Sequence, residues 1–118
     1  MITIYHNPRC SKSREALALV EAFAVRKQIP VNVVEYLTSP PSLAELEALQ
    51  VMLGCAPSEM VRGNEEEFAA LGLAHAADAD LLRAIAAHPK LLQRPIVVFG
   101  RRAVIGRPPE LVSGLLED

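Results

Sequence analysis

A short β-branched run, Ile2-Thr3-Ile4-Tyr5, is turned by His6-Asn7-Pro8-Arg9-Cys10 directly into a helical pattern that begins at Ser11. Such β-branched and aromatic residues fit a pleated strand, and Asn-Pro is a turn signal. From Ser11 onward Ala16, Leu17, Val20, Phe23 and Ala24 recur at three- and four-residue spacing, which is one stripe of a helix. Pro30 separates that helix from a second strand, Val31 to Tyr36. Strand, helix and strand in that order form a βαβ unit, and this commits the chain to an α/β layer architecture.

The rest of the chain adds a helical block and a closing hairpin. Pro40-Pro41-Ser42 opens a helix, with Ser42 and Glu45 in capping-box spacing and Leu43, Leu46, Leu49 and Leu53 as its apolar face. Gly54 is its expected stop. A second helical segment is expected from Ser58 to Leu71, ending at Gly72, and a third from Asp78 to His88, halted by Pro89. Ile96 to Phe99 and Ala103 to Ile105 read as two strands joined by a tight turn, and Pro108-Pro109 leads into a last helix, Glu110 to Leu116. The expected fold is therefore α/β and thioredoxin-like: a four-stranded mixed sheet with a helical insertion, about residues 42–89, between the second and third strands. With 118 residues the chain has the size of a single domain, 1–118.

Composition removes several classes of function. Lys and Arg number 12 against 14 Asp and Glu, which gives no basic footprint for nucleic acid. No apolar run approaches the roughly 20 residues of a membrane-spanning helix, and the N-terminus lacks the layout of a secretory signal. Two cysteines, Cys10 and Cys55, make neither a disulfide framework nor a zinc cluster, so no metal is expected. A cytoplasmic protein is the expectation.

Cys10 is the residue with chemistry. It lies where a loop enters a helix, and unpaired amides at a helix start, together with the helix dipole, favour an anion there. Arg9, Lys12 and Arg14 add cations, and His6 stands four positions upstream. An ordinary thiol titrates near ~8.5, and these surroundings favour thiolate at neutral pH. A structural cysteine would sit among apolar residues rather than between Arg9 and Ser11. The fourth position of a Cys-x-x-Cys redox motif is Ser13 here, so the thiol acts alone, and a small thiol or a partner protein must resolve its adduct. A cysteine-phosphatase loop is excluded, because the arginine it needs six residues on is Ala16. Cys55, at a small-residue helix end, is the other possible resolver of the adduct, and packing is the role its surroundings favour.

His6 either supports the thiolate or is a strand-end histidine facing solvent, and the pattern leaves both open. Tyr5 and Tyr36 read as packing residues, His75 and His88 as ordinary, and Glu65-Glu66-Glu67 as a solvated helix face. Arg94 precedes Pro95 just before the third strand, an X-Pro bond of the kind that accepts the cis form. Arg107 precedes Pro108 after the hairpin, and Arg62 lies in Val61-Arg62-Gly63-Asn64, a loop or helix end in the insertion. Arginines on loops around a nucleophilic thiol would make an oxyanion pocket, since the guanidinium fork matches oxyanions.

These stretches resemble a known family. Ile4-Tyr5-His6-Asn7-Pro8-Arg9-Cys10 with Ser13-Arg14, Tyr36-Leu37 with Pro40-Pro41, Val61-Arg62, Leu71-Gly72-Leu73, Arg94-Pro95-Ile96-Val97-Val98 and Gly106-Arg107-Pro108 are similar, in order, to the glutaredoxin-linked arsenate reductases of the ArsC type. That family also includes uncharacterised reductase-like relatives and the Spx regulators. The resemblance implies a thioredoxin-like fold in which Cys10 attacks arsenate, glutathione joins as co-substrate, and glutaredoxin resolves the mixed disulfide. It assigns His6 and Ser13 to support of the thiolate, and Arg62, Arg94 and Arg107 to the oxyanion, with Arg14 and Pro95 beside them. No bound cofactor is implied. Well-characterised members carry Gly-Thr where this chain has Ser11-Lys12. Two other readings stand behind this one: a monothiol, glutathione-linked oxidoreductase with another substrate, and an Spx-like regulator that binds RNA polymerase. Spx proteins commonly use a Cys-x-x-Cys switch, which Ser13 removes.

Overall fold

The computed structural model describes residues 1–116; Glu117 and Asp118, the end of the expected 1–118 domain, lie outside the described residues. The chain divides into two compact units, one built from residues 1–39 with the C-terminal stretch from Arg94, the other from Pro40–Gln93. The stretch 42–89 lies within the second of these units.

The first unit is a four-stranded mixed sheet in the order β2-β1-β3-β4, formed by β1 (Ile2–His6), β2 (Val31–Glu35), β3 (Ile96–Phe99) and β4 (Arg102–Ile105). β1 pairs parallel with β2 (Ile2↔Val31 to His6↔Glu35) and antiparallel with β3 (Ile2↔Phe99 to Tyr5↔Ile96). β3 and β4 form the hairpin, with Gly100 at φ 66 at the start of its two-residue turn, a conformation that suits glycine. The parallel pair needs a crossover, which α1 (Ser11–Lys27) supplies. This is the thioredoxin-like order the sequence predicts.

Period two on β1 and period 3.6 on α1 together build the core. Ile2 and Ile4 face Ala16, Val20, Phe23 and Ala24, and the cluster is closed by Val97 and by Val112, Leu115 and Leu116 from and just after α6 (Leu111–Leu115). Each fully buried aliphatic side chain of this kind contributes on the order of 1.5–3 kcal/mol. Phe23 meets Phe99 edge to face at 5.8 Å, and the Arg26 guanidinium covers the Phe23 ring at 5.5 Å. The first helix ends on Gln28 at φ 56, a left-handed cap filled by glutamine, which the sequence reading did not mark. The second strand stops at Glu35, one residue earlier than expected; Tyr36 follows in a turn and is nonetheless buried.

The second unit holds α2 (Leu43–Leu53), α3 (Pro57–Met60), α4 (Glu66–Ala70), α5 (Asp78–Ala87) and two short 3₁₀ turns, Leu73–His75 and Pro89–Leu91. The capping box at the start of α2 is complete: the Glu45 amide donates to Ser42 Oγ at 3.1 Å, and the Ser42 amide donates to Glu45 Oε1 at 3.0 Å. Gly54 closes α2 at φ 64. Leu46, Leu49, Met60, Leu81, Leu82 and Ile85 are buried.

The continuous helix expected from Ser58 to Leu71 is replaced by α3 and α4. Between them Val61 pairs antiparallel with Leu92, the Arg62 amide donates to the Leu91 carbonyl at 2.7 Å, and the Gln93 amide donates to the Met60 carbonyl at 2.8 Å. These long-range backbone bonds take the Met60 carbonyl and the Arg62 amide away from the helical pattern. Among the described residues no helix is long and apolar enough to cross a membrane.

Candidate active site

The carboxyl end of β1 and the amino end of α1 meet at residues 7–10. His6 lies on the same face of β1 as Ile2 and Ile4 and is buried with them, while Ser13 lies on the same stripe of α1 as Ala16 and Val20 and is fully buried. The two periodicities bring these polar side chains together: His6 Nδ1 and Ser13 Oγ share a hydrogen bond of 2.6 Å. Ser13 Oγ also accepts from the Asn7 amide at 3.0 Å. A buried serine is tolerated here because both neighbours satisfy it.

Asn7 does more than mark the turn. Its carbonyl accepts from the Cys10 amide at 3.0 Å, and its Oδ1 accepts from the Arg9 amide at 3.0 Å. This is the self-bonding habit of asparagine in turns, and it was readable from its place before Pro8. The loop delivers Cys10 to the N-cap of α1 in extended geometry (φ −97, ψ 121) with its side chain making no cap bond, and its carbonyl accepts from the Arg14 amide at 3.0 Å.

Cys10 is a free, partly exposed thiol. Burial pushes its pKa up, but hydrogen bonds from the Ser13 and Lys12 amides and the charge and hydrogen bond of the Arg94 guanidinium pull it down, and the net result lies below the ordinary thiol value. The principal cation is therefore Arg94, whereas the sequence reading placed Arg9, Lys12 and Arg14 around the sulfur. The guanidinium of Arg14 is turned to the Pro8 carbonyl, at 3.0 Å.

His6 is held below the ordinary imidazole range, first by burial; Glu35 opposes this, Arg14 adds to it, and Glu21 and the hydrogen bond to Ser13 oppose it. Glu35 was not singled out in the sequence. It becomes relevant because the register of the parallel strands sets it beside His6.

The two X-Pro loops of this unit are joined. Arg94-Pro95 and Arg107-Pro108 are both cis; the Gly106 amide donates to the Pro95 carbonyl at 2.9 Å, and Arg107 Nη1 donates to the Arg94 carbonyl at 3.3 Å. Arg94 Nε is buried with no hydrogen-bond partner, so this guanidinium keeps donor capacity in reserve.

Arg62 belongs to the helical unit, where its Nε donates to Glu65 Oε1 at 3.2 Å, so Glu65 is an ion-pair partner rather than part of a purely solvated face. Cys55 lies in the same unit; burial and then the Glu59 carboxylate push its thiol up, the opposite of Cys10. Among the described residues no group of three or more His, Cys, Asp or Glu is placed to hold a metal.

A lone thiol whose anionic form is favoured by two amides and one guanidinium can attack an electron-poor centre and hold an anion beside it. The ArsC family model matches residues 5–115. The chain is 47% identical over 118 residues to an arsenate reductase of Neisseria meningitidis, covering 98% of this chain and 97% of that protein. It is 40% identical over 119 residues to an arsenate reductase of Rhizobium meliloti, covering 99% of this chain and 82% of that one. In structure it is similar to an arsenate reductase from Vibrio cholerae, with a TM-score of 0.86 and 45% identity over 96% of this chain and 95% of that chain. With the motif from β1 into α1, the two Arg-Pro loops and a match that runs from strand to last helix, the chain belongs to the ArsC family.

Proposed function

We propose that the chain is an arsenate reductase that uses glutathione as co-substrate and glutaredoxin for regeneration. The observation that carries this reading is the Cys10 thiol, held below its ordinary pKa by the Ser13 and Lys12 amides and Arg94. The names of its relatives supply the substrate class.

In the first step the Cys10 thiolate attacks arsenic(V), an S–As bond forms, and one oxygen leaves as water after taking up protons. Arg94 and Arg107 supply guanidiniums for the remaining oxygens. In the second step the glutathione thiolate attacks the Cys10 sulfur. The S–As bond breaks with its electron pair going to arsenic, which leaves as arsenic(III) in arsenite, while the two thiols are oxidised to a mixed disulfide. Glutaredoxin takes the glutathione from that disulfide by thiol exchange and returns Cys10 as a thiolate. Ser13 at the fourth motif position fits this dependence on an outside thiol. Reduced glutathione is maintained in the cytoplasm, where we place the reaction. For Arg62 the resemblance, and not its placement, carries the assignment to the oxyanion.

The test is arsenite formation by the purified chain with arsenate and glutathione, with and without glutaredoxin. Wild type turns over and needs glutaredoxin for repeated cycles; Cys10→Ser abolishes the activity, and Cys55→Ser keeps most of it. Arg62→Ala, Arg94→Ala and Arg107→Ala each raise the KM for arsenate. No arsenite from wild type, together with reduction of a glutathionylated protein, would transfer the reading to a general monothiol reductase.

A further inference from the structure

We propose that Arg14 is a positioning residue for the thiolate loop: from the first turn of α1 its guanidinium reaches back to the Pro8 carbonyl and fixes residues 7–10 from the solvent side, as Ser13 fixes them from the inside. The proposal deepens the reading above and rests on Cys10 being the attacking thiol.

Three observations carry it. The first is the bond itself, Arg14 Nη1 to the Pro8 carbonyl at 3.0 Å, which gives a partner to the one main-chain polar group that a proline retains. The second is its place in a set of ties that closes the loop on both sides. Inside, the Asn7 amide donates to Ser13 Oγ; across the turn, the Cys10 amide donates to the Asn7 carbonyl; outside, Arg14 holds Pro8, while its own amide donates to the Cys10 carbonyl. One residue thus grips the loop twice, by main chain at Cys10 and by side chain at Pro8.

The third is that Arg14 breaks a local rule. The first turn of a helix favours Asp and Glu and disfavours cations, because the dipole is positive there. The first turn of α1 holds no acidic residue and carries Lys12 and Arg14. A cation in an unfavourable place, with its guanidinium directed at a specific carbonyl, is the pattern of a residue kept for the site rather than for the helix. Its charge also acts on His6, against Glu35 and Glu21.

The loop geometry decides whether the Cys10 sulfur faces the Ser13 and Lys12 amides, and those hydrogen bonds are two of the causes that favour the thiolate. A slack loop would lose them even with every amide present.

The experiment uses the full chain carrying Cys55→Ser, so that iodoacetamide reports Cys10 alone. Alkylation rates are measured against pH for Arg14→Met, which keeps length without donor or charge, and for Arg14→Lys, whose ammonium can reach the same carbonyl. Each series is run at low salt and at about 0.5 M salt, where exposed charge effects are screened but geometry is not. The expected result is alkylation about threefold slower at pH 6 in Arg14→Met. The loss persists at high salt and is largely restored in Arg14→Lys. An Arg14→Met profile equal to the parent, or a difference that vanishes at high salt, overturns the positioning role. Arsenate turnover by Cys10→Ser separates the two readings. If that variant is inactive while Arg14→Met is unshifted, only the proposal for Arg14 fails; if it is active, the reading of Cys10 as the attacking thiol fails.

Discussion

Ser13 Oγ stands 2.6 Å from His6 Nδ1 and 3.0 Å from the Asn7 amide nitrogen, so one buried hydroxyl ties the last residue of a strand, the loop after it and the helix that follows. That hydroxyl is the inner anchor of the loop that presents Cys10. Removing it leaves a buried imidazole nitrogen and an amide unpaired.

Ser13→Ala is accordingly expected to lower stability by about 1–3 kcal/mol, the usual result of leaving buried polar groups unsatisfied. Urea unfolding at neutral pH measures it. A change within error would show that water or a rearranged loop supplies the missing partner.

His6 gives a pH dependence with a definite sign. Its folded pKa lies below the ordinary imidazole value of 6.5, mainly because it is buried. As pH falls below that value the unfolded chain takes up the proton first, so the native state loses stability until the folded imidazole also protonates. Above the ordinary value His6 contributes no slope. The loss of stability of the wild type between pH 7 and pH 5 should therefore exceed that of His6→Asn, as read from urea midpoints at the two pH values. Equal losses would mean that His6 is not held below its ordinary value.

Arg94 is the cation that favours the Cys10 thiolate. In Arg94→Met the alkylation rate of Cys10 at pH 6 is expected to fall several-fold, with the midpoint moving toward that of a free thiol. Arg101→Met, on the exposed hairpin turn, serves as the control and should leave the profile in place. Equal profiles for both variants would take Arg94 out of thiolate stabilisation.

Gly106 marks the closest packing near the Arg-Pro loops. A Cβ there would stand 3.0 Å from Pro95 Cγ and 3.0 Å from Val112 Cγ2, with Ala16 Cβ at 3.7 Å. Neither the proline ring nor the buried valine yields easily, so Gly106→Ala should destabilise by about 1–3 kcal/mol, as overpacking does. Thermal unfolding checks this, and an unchanged melting temperature would show that the loop moves aside.

Local signals in the chain sufficed for much of the architecture. Ile2 to Tyr5 and the Ala16, Val20, Phe23 stripe specify a strand and a helix, because burial on one face imposes a period on the sequence. The Ser42–Glu45 box and Gly54 bound α2 correctly, since both ends are short-range chemistry. Cys10 at a loop-to-helix junction, and the arginines before Pro95 and Pro108, stood out for the same reason. The burial of His6 was not settled, although it continues the Ile2, Ile4 alternation, because a strand-end position could equally face solvent; the structure buries it.

Tertiary structure decided what depends on partners distant along the chain. The break between α3 and α4 follows from Val61 pairing with Leu92; Gly63-Asn64 beside it marks a turn, but the strand-like partner 31 positions on is not readable locally. The cation that governs Cys10 is Arg94, 84 positions away, brought there by β3 pairing with β1, while the adjacent Arg14 turns to Pro8. A sequence records which side chains a segment offers and with what period. Which of them meet is fixed by strand register and loop closure, and those are properties of the whole folded chain.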